Sequence, residues 1–278
     1  MTDTASRSLA HWSEARRAEM DAFYRLATKD YRHLAEARDW PAWLADRAAS
    51  AGGRSMRLLD VACGSGKFPN ALIQHAGVGE AGLSAIDYDL LDPSAFSVAE
   101  AKAALKPPFR PAGEHVCTLQ DFAASPEGYD IVWATHALYA LPHAELEIGV
   151  DRFAKAIAPG GAGFIAHASD ASHYLTFYRA YLEGFDHADG DPYVSSADLI
   201  EAFHRLDVPV QTEEITYENG VAETEREAVE GYLQRCLFDD TVSLDALLEN
   251  PSTGAYLADK LKDGQWRFPQ SVTLISLG

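Results

Sequence analysis

The apolar run RLLDVACGSG, beginning at Arg57, closes on an acid followed four and six residues later by glycine: Asp60, Gly64, Gly66. Glycine at both positions lets the chain turn tightly and bring backbone N–H groups close to a ligand. The amphipathic stretch KFPNALIQH that follows would add the free amides of a helix N-terminus. A dinucleotide turn of the form G-x-G-x-x-G needs a third glycine where this sequence has Pro69, and Asp60 puts negative charge where a pyrophosphate would lie. The turn therefore suits a nucleoside bearing an ammonium group better than NAD. A tight turn with no ligand is the plainer reading of the glycines alone.

Two acids compete to hold the ribose of such a nucleoside. Asp87 lies 21 residues after Gly66 and Asp92 lies 26 after it. Asp92 precedes Pro93, a good first helical residue, so Asp92 is expected to cap a helix and to carry its carboxylate on a strand tip. His136 follows the apolar run YDIVWAT, and its ordinary pKa of roughly 6.5 suits a group that accepts or shares a proton. Tyr139 stands three residues on, and Asp121 follows HVCTLQ. A loop acid, a packed ring and a backbone-bonded histidine are the ordinary alternatives for Asp121, Tyr139 and His136.

These residues need a frame, and the sequence alternates accordingly. From Leu58 the segments RLLDVA, GLSAIDYDLL, EHVCTL, YDIVWAT and GAGFIAHA read as strands with helical stretches between them, and KPPFRPAG at 106–113 reads as a loop. That rhythm predicts an α/β, Rossmann-like parallel sheet with helices on both faces and its ligand at the carboxyl ends of the strands. Residues 1–50 are expected to form an N-terminal helical cap or lid over a main domain of 51–278, with helical insertions near 170–206 and 223–263. Tyr24 and Tyr31 would give the cap aromatic walls. VPVQTEEITYEN and the terminal SVTLISLG read as strands.

The composition narrows the partners. The 278 residues are 47% hydrophobic and 23% charged, with a net charge of −19 that opposes nucleic acid and is compatible with a cationic small substrate. No apolar run approaches the ~18 residues of a membrane span, and the N-terminus lacks the apolar region of a secretory signal, so a cytoplasmic protein is expected. Cys63, Cys117 and Cys236 lie far apart without CxxC pairing, which suggests neither disulfide nor zinc.

LLDVACGSG resembles the first motif of class I S-adenosylmethionine-dependent methyltransferases, with Ala62 at that motif's first glycine. YDIVWATHALYAL, KAIAPGGAGFIAH and SVTLISL resemble the family's fourth-strand motif, the following helix–turn–strand, and the terminal antiparallel strand. The resemblance implies a seven-stranded, mostly parallel sheet with an antiparallel C-terminal strand, and S-adenosyl-L-methionine as cofactor. It implies cofactor contacts at Asp60, Ala62, Gly64, Gly66, Asp92, Asp121, Phe122 and Thr135, with Asp121 beside the adenine. A narrower resemblance, to histamine N-methyltransferase and its bacterial relatives, rests on IDYDLLDPSAFSVAEAK, THALYAL, and GYLQRCLF followed by FPQSVTLISL. His136 stands where those enzymes have glutamine, Ala140 replaces a tyrosine, and Gln270 replaces an asparagine. An acceptor site of Tyr24, Tyr31, His136, Tyr139, His173, Phe177 and Gln270 would follow, although the helical spacing of His173, Tyr174, Phe177, Tyr178 and Tyr181 equally fits core packing.

The function implied is methyl transfer to a small molecule, most readily an amine of specialised metabolism, by in-line displacement that needs no metal. O- or C-methylation with His136 as base is the alternative. An NAD-dependent oxidoreductase and a non-catalytic S-adenosylmethionine-binding module are more distant ones.

Overall fold

The computed structural model describes residues 4–11, 28–185 and 190–278. Its elements, in chain order, are α1 (Thr4–His11), α2 (residues 28–36), α3 (Trp40–Ser50), β1 (Met56–Val61), α4 (Lys67–His75), β2 (Ile86–Leu91), α5 (Ala95–Ala104), β3 (Phe109–His115) and β4 (Tyr129–Thr135). There follow α6 (Leu146–Ala156), β5 (Ile157–Ala168), α7 (His173–Gly184), α8 (Ser196–Arg205), β6 (Gln211–Ala222), α9 (Arg226–Leu237), α10 (Leu244–Glu249), α11 (Pro251–Ala258), β7 (Leu261–Lys262) and β8 (Gln265–Leu277).

One sheet runs β3-β2-β1-β4-β5-β8-β6. The strands β1 to β5 pair in parallel, whereas β8 is antiparallel to β5, β6 and the two-residue β7. The expected seven strands are thus joined by an eighth, β7, which only extends one end of β8. Strand order reverses at β1, flanked by β2 on one side and β4 on the other. That reversal opens a crevice at the carboxyl ends.

Side chains alternate between the sheet's two faces. Leu58 and Trp133 face α3, α4 and α5, where Trp40, Phe68 and Phe164 close the packing, while Leu59 and Val132 face α6 and α8 through Phe153, Val150 and Phe203. Edge-on contacts link Phe68 to Trp133 at 5.0 Å and Trp40 to Phe164 at 5.0 Å, each worth about 0.5–1.5 kcal/mol beyond the area buried. A third apolar cluster gathers α7, α9, α10 and α11 over Trp266 and Phe268 of β8. No described helix is long and apolar enough to cross a membrane.

Two strands differ from expectation. The third is Phe109–His115 rather than EHVCTL, so most of the stretch expected as a loop is strand. Pro111 is tolerated there because β3 is an edge strand, where a missing N–H need not break a ladder. The terminal strand starts six residues earlier than SVTLISLG, at Gln265, because β6 pairs with it from Gln265 to Ser276.

The glycine turn fixes how α4 leaves β1. Gly66 holds φ +68 as the N-cap of α4, and a Cβ there would stand 3.2 Å from Ala101 Cα and 3.3 Å from Ala101 O on α5. Gly77 has the same φ of +68 with nothing within 4 Å. Alanine at Gly77 is expected to cost only the left-handed backbone, roughly 1–2 kcal/mol. Gly66→Ala should cost about 1 kcal/mol more, from the added clash. Urea unfolding of both variants checks this; equal losses would show that α5 gives way freely.

Candidate active site

A cavity of about 430 Å³ opens at the carboxyl ends of β1, β2 and β4. That is within the roughly 300–1,000 Å³ usual for small-molecule sites. Its floor is the β1–α4 turn, including Asp60, Ala62, Cys63, Gly64 and Ser65; one wall is Asp92 with Cys117 to Gln120, another is Thr135 to Pro142. Ser6, Ser8 and Leu9 of α1 and Tyr31 of α2 roof it. Thr4 fixes α1 over this opening: its hydroxyl lies 2.9 Å from Tyr178 Oη and donates to the Asp191 carbonyl at 2.7 Å.

Two carboxylates are sunk into the turn. Asp60 is 3% exposed, and its Oδ2 accepts the Tyr88 hydroxyl at 2.6 Å; burial pushes its pKa up to about 7. Asp92 is 7% exposed, and burial pushes it up to about 6 against two backbone hydrogen bonds. Its Oδ1 accepts Ser94 N at 2.8 Å and its Oδ2 accepts Gly64 N at 3.1 Å, so it ties the tip of β2 to the glycine turn. The cap of α5 is Ser94, whose hydroxyl accepts Ser97 N, and not Asp92. Asp87 points elsewhere: its carboxylate takes Arg110 Nε at 2.9 Å across to β3.

His136 leaves β4 in a left-handed conformation, φ +52, as Ala62 does at +51. Backbone strain of this kind at non-glycine residues persists where surrounding structure enforces it. The imidazole Nδ1 is 2.8 Å from Tyr139 Oη, and the Tyr31 ring meets its edge at 5.8 Å. Its Nε2 is buried with no hydrogen-bond partner among the described residues, although the ring lines the cavity. Burial pushes its pKa down to about 4, so it is neutral at physiological pH.

Of the residues expected from sequence, Asp60, Ala62, Gly64, Asp92, Thr135, Tyr31, His136 and Tyr139 meet in this one cavity. Others do not. Gly66 faces α5 instead. Asp121 is exposed and accepts the Thr118 hydroxyl at 2.8 Å, while Phe122 is buried in the core beside α6. Because β3 ends at His115, the residues presented to the cavity come earlier, Cys117 to Gln120. His173 and Phe177 stack on each other at 5.3 Å inside the α7–α9 cluster, with His173 Nδ1 2.8 Å from Tyr256 Oη. Gln270 is 2% exposed and bonded to Ser172 and Tyr232, which consumes the amide away from the cavity. Tyr24 lies outside the described residues.

The structure also brings in Asp30, Tyr174, Tyr193, Arg235, Cys236 and Phe238. All three cysteines line the same cavity, and burial raises their thiols, so they stand there protonated. Sequence distance concealed this convergence, since Cys117 and Cys236 arrive on the β3–β4 loop and α9.

Residues 59–162, from β1 into β5, match the family model of a methyltransferase domain. The chain contains a methyltransferase domain. The sheet order is that of the class I methyltransferase fold, whose cofactor is S-adenosylmethionine. Among solved structures it is similar to magnesium protoporphyrin IX methyltransferase from Synechocystis PCC 6803 with bound SAH, at 11% identity over 98% of this chain and 99% of that chain, TM-score 0.54. A protein of Bacillus halodurans C-125 assigned as a methyltransferase shows 13% identity, 84% and 96% coverage and a TM-score of 0.54. A SAM-dependent methyltransferase of Leishmania major shows 16%, 98% and 82%, with a TM-score of 0.50. At these identities the likeness is one of fold. Comparison with curated proteins returns no match. Neither the family model nor these structures supports the narrower resemblance to histamine N-methyltransferases.

The burial of Asp60 has a measurable sign. Its pKa is raised from 3.8 to about 7, so its contribution to stability is fully present below pH 3.8 and lost as pH rises through 7. Asp60→Asn removes that loss. The ligand-free variant should melt above the unsubstituted protein at pH 8, with the gap closing toward pH 4. A gap that does not change with pH would contradict the assigned burial.

Proposed function

We propose that this enzyme methylates the nitrogen of a small-molecule amine, and that His136 orients that nitrogen. The observation carrying this reading is the buried, unpartnered Nε2 of a neutral His136 whose ring lines the cavity beside the glycine turn.

When bound, S-adenosylmethionine supplies an electrophilic methyl on a sulfonium, and displacement requires only an aligned lone pair opposite the leaving sulfur. Asp60 would face the ammonium of the cofactor's amino-acid end. Asp92 would accept the ribose hydroxyls with the lone pairs that Gly64 and Ser94 leave open. Leu119 and Gln120 would flank the adenine, in the place expected for Asp121. With Nδ1–H donated to Tyr139 Oη, Nε2 accepts an amine N–H and turns the nitrogen lone pair toward the methyl.

A pKa near 4 makes His136 a weak base, which suits an amine presented with its lone pair and does not suit the deprotonation of an alcohol or a carbon acid. α1 and α2 serve in this reading as the cap, since they roof the cavity and keep water from it. A small acceptor fits a cavity of this size better than a polymer would.

Incubation with S-adenosylmethionine and a library of small amines, read by mass spectrometry with fragment assignment, should show a CH2 increment on nitrogen. His136→Gln should keep most of kcat and raise KM about tenfold, because glutamine still accepts a hydrogen bond. Its acidic limb should be unchanged above pH 5, given an imidazole that titrates near 4. Methyl found on oxygen or carbon, or a variant with unaltered KM, would contradict the proposal.

A further inference from the structure

Beyond the cofactor turn, the cavity holds a third buried acid that the methyl-transfer chemistry leaves unused. Asp30, on α2, is 2% exposed and lines the cavity. Its Oδ2 accepts the Tyr174 hydroxyl at 2.6 Å and its Oδ1 accepts Asn219 Nδ2 at 2.7 Å. Both donors are neutral. No lysine or arginine among the described residues forms an ion pair with it. A buried carboxylate held by neutral donors alone costs several kcal/mol unless a positive charge comes to meet it.

The surroundings of Asp30 indicate what that charge would be. Its field reaches Tyr139, Tyr174 and Cys236, all of which line the cavity. Tyr139 lies 6.0 Å from Tyr174 and 5.9 Å from Tyr193, ring to ring, so the chamber beside Asp30 is walled by aromatic faces. Aromatic faces with one carboxylate favour a compact organic cation. The net charge of −19 draws such a solute from solution and repels an anionic one.

We propose that the acceptor arrives as an ammonium ion, and that Asp30, positioned by Tyr174 and Asn219, selects such cations over neutral isosteres and then takes the N–H proton whose loss frees the nitrogen lone pair for the methyl. The proposal deepens the amine reading above and rests on it. Burial pushes the Asp30 carboxyl up to about 6, so at pH 8 it is ionised and ready to pair.

The test uses the full-length protein saturated with S-adenosylhomocysteine at pH 8 and three matched pairs: phenethylamine and 2-phenylethanol, tryptamine and tryptophol, butylamine and 1-butanol. Calorimetry should show at least one amine binding tenfold or more tightly than its alcohol. Asp30→Asn should bring that pair within about twofold. The asparagine can accept from Tyr174 and donate to Asn219 Oδ1, which otherwise has no partner, so the fold is expected to survive. Tyr174→Phe keeps the carboxylate and should keep the preference for the amine. Alcohols binding as well as amines in every pair, no amine binding at all, or a preference that survives in Asp30→Asn would each overturn the proposal. If amines bind through Asp30 but the methyl is found on another atom, the Asp30 assignment stands and the N-methylation reading fails.

Discussion

The structure depends on two carboxylates buried side by side where the sheet changes direction. Asp60 ends the apolar part of β1 and Asp92 follows β2, and each is nearly sealed from water. Charge in such a place must be met by hydrogen bonds or by an opposite charge. The protein supplies the first in part, through the Tyr88 hydroxyl, Gly64 N and Ser94 N. In the proposed reading, S-adenosylmethionine would bring the second. The left-handed backbone of Ala62 and Gly64 and the close approach of Gly66 to α5 are what hold the turn around this pair.

From that end the cavity grades into a different chemistry. His136 stands between the turn and the aromatic chamber as a neutral hydrogen-bonding group, and the thiols of Cys63, Cys117 and Cys236 are held protonated by burial. Among the described residues, no side chain there is primed as a nucleophile. An enzyme of this kind works by aligning two reactants and excluding water, a contribution that can reach about 7–11 kcal/mol when the geometry is right. The helices added to the Rossmann-like core serve that end. α1 and α2 roof the cavity, while α7 and α9 form its far wall with Tyr174 and Cys236.

The central sheet was legible in the sequence because its strands are apolar runs broken by glycine and acid at the carboxyl edge. The same regularity put Asp60, Gly64, Asp92 and His136 at that edge. Legibility failed where local pattern and tertiary role diverge. Pro107, Pro108 and Pro111 made the start of β3 look like a loop, which moved the expected adenine contact to Asp121, past the residues that face the cavity. His173, Phe177 and Gln270 are polar or aromatic near the right strands, yet their partners are Tyr256, Ser172 and Tyr232 in the third apolar cluster. Asp30 gave no sequence signal at all. An acid in an amphipathic helix reads as solvated surface until Tyr174 and Asn219, 144 and 189 residues away, close over it.

The most direct test of this account is a calorimetric titration of S-adenosylhomocysteine, whose ammonium should ionise Asp60 on binding. It is done at pH 6 and pH 8 in buffers of different ionisation enthalpy. With Asp60 poised near 7, the account predicts proton release at pH 6 and affinity roughly tenfold tighter at pH 8, following the fraction of protein in the charged state. Equal affinity at both values with no proton released would contradict it.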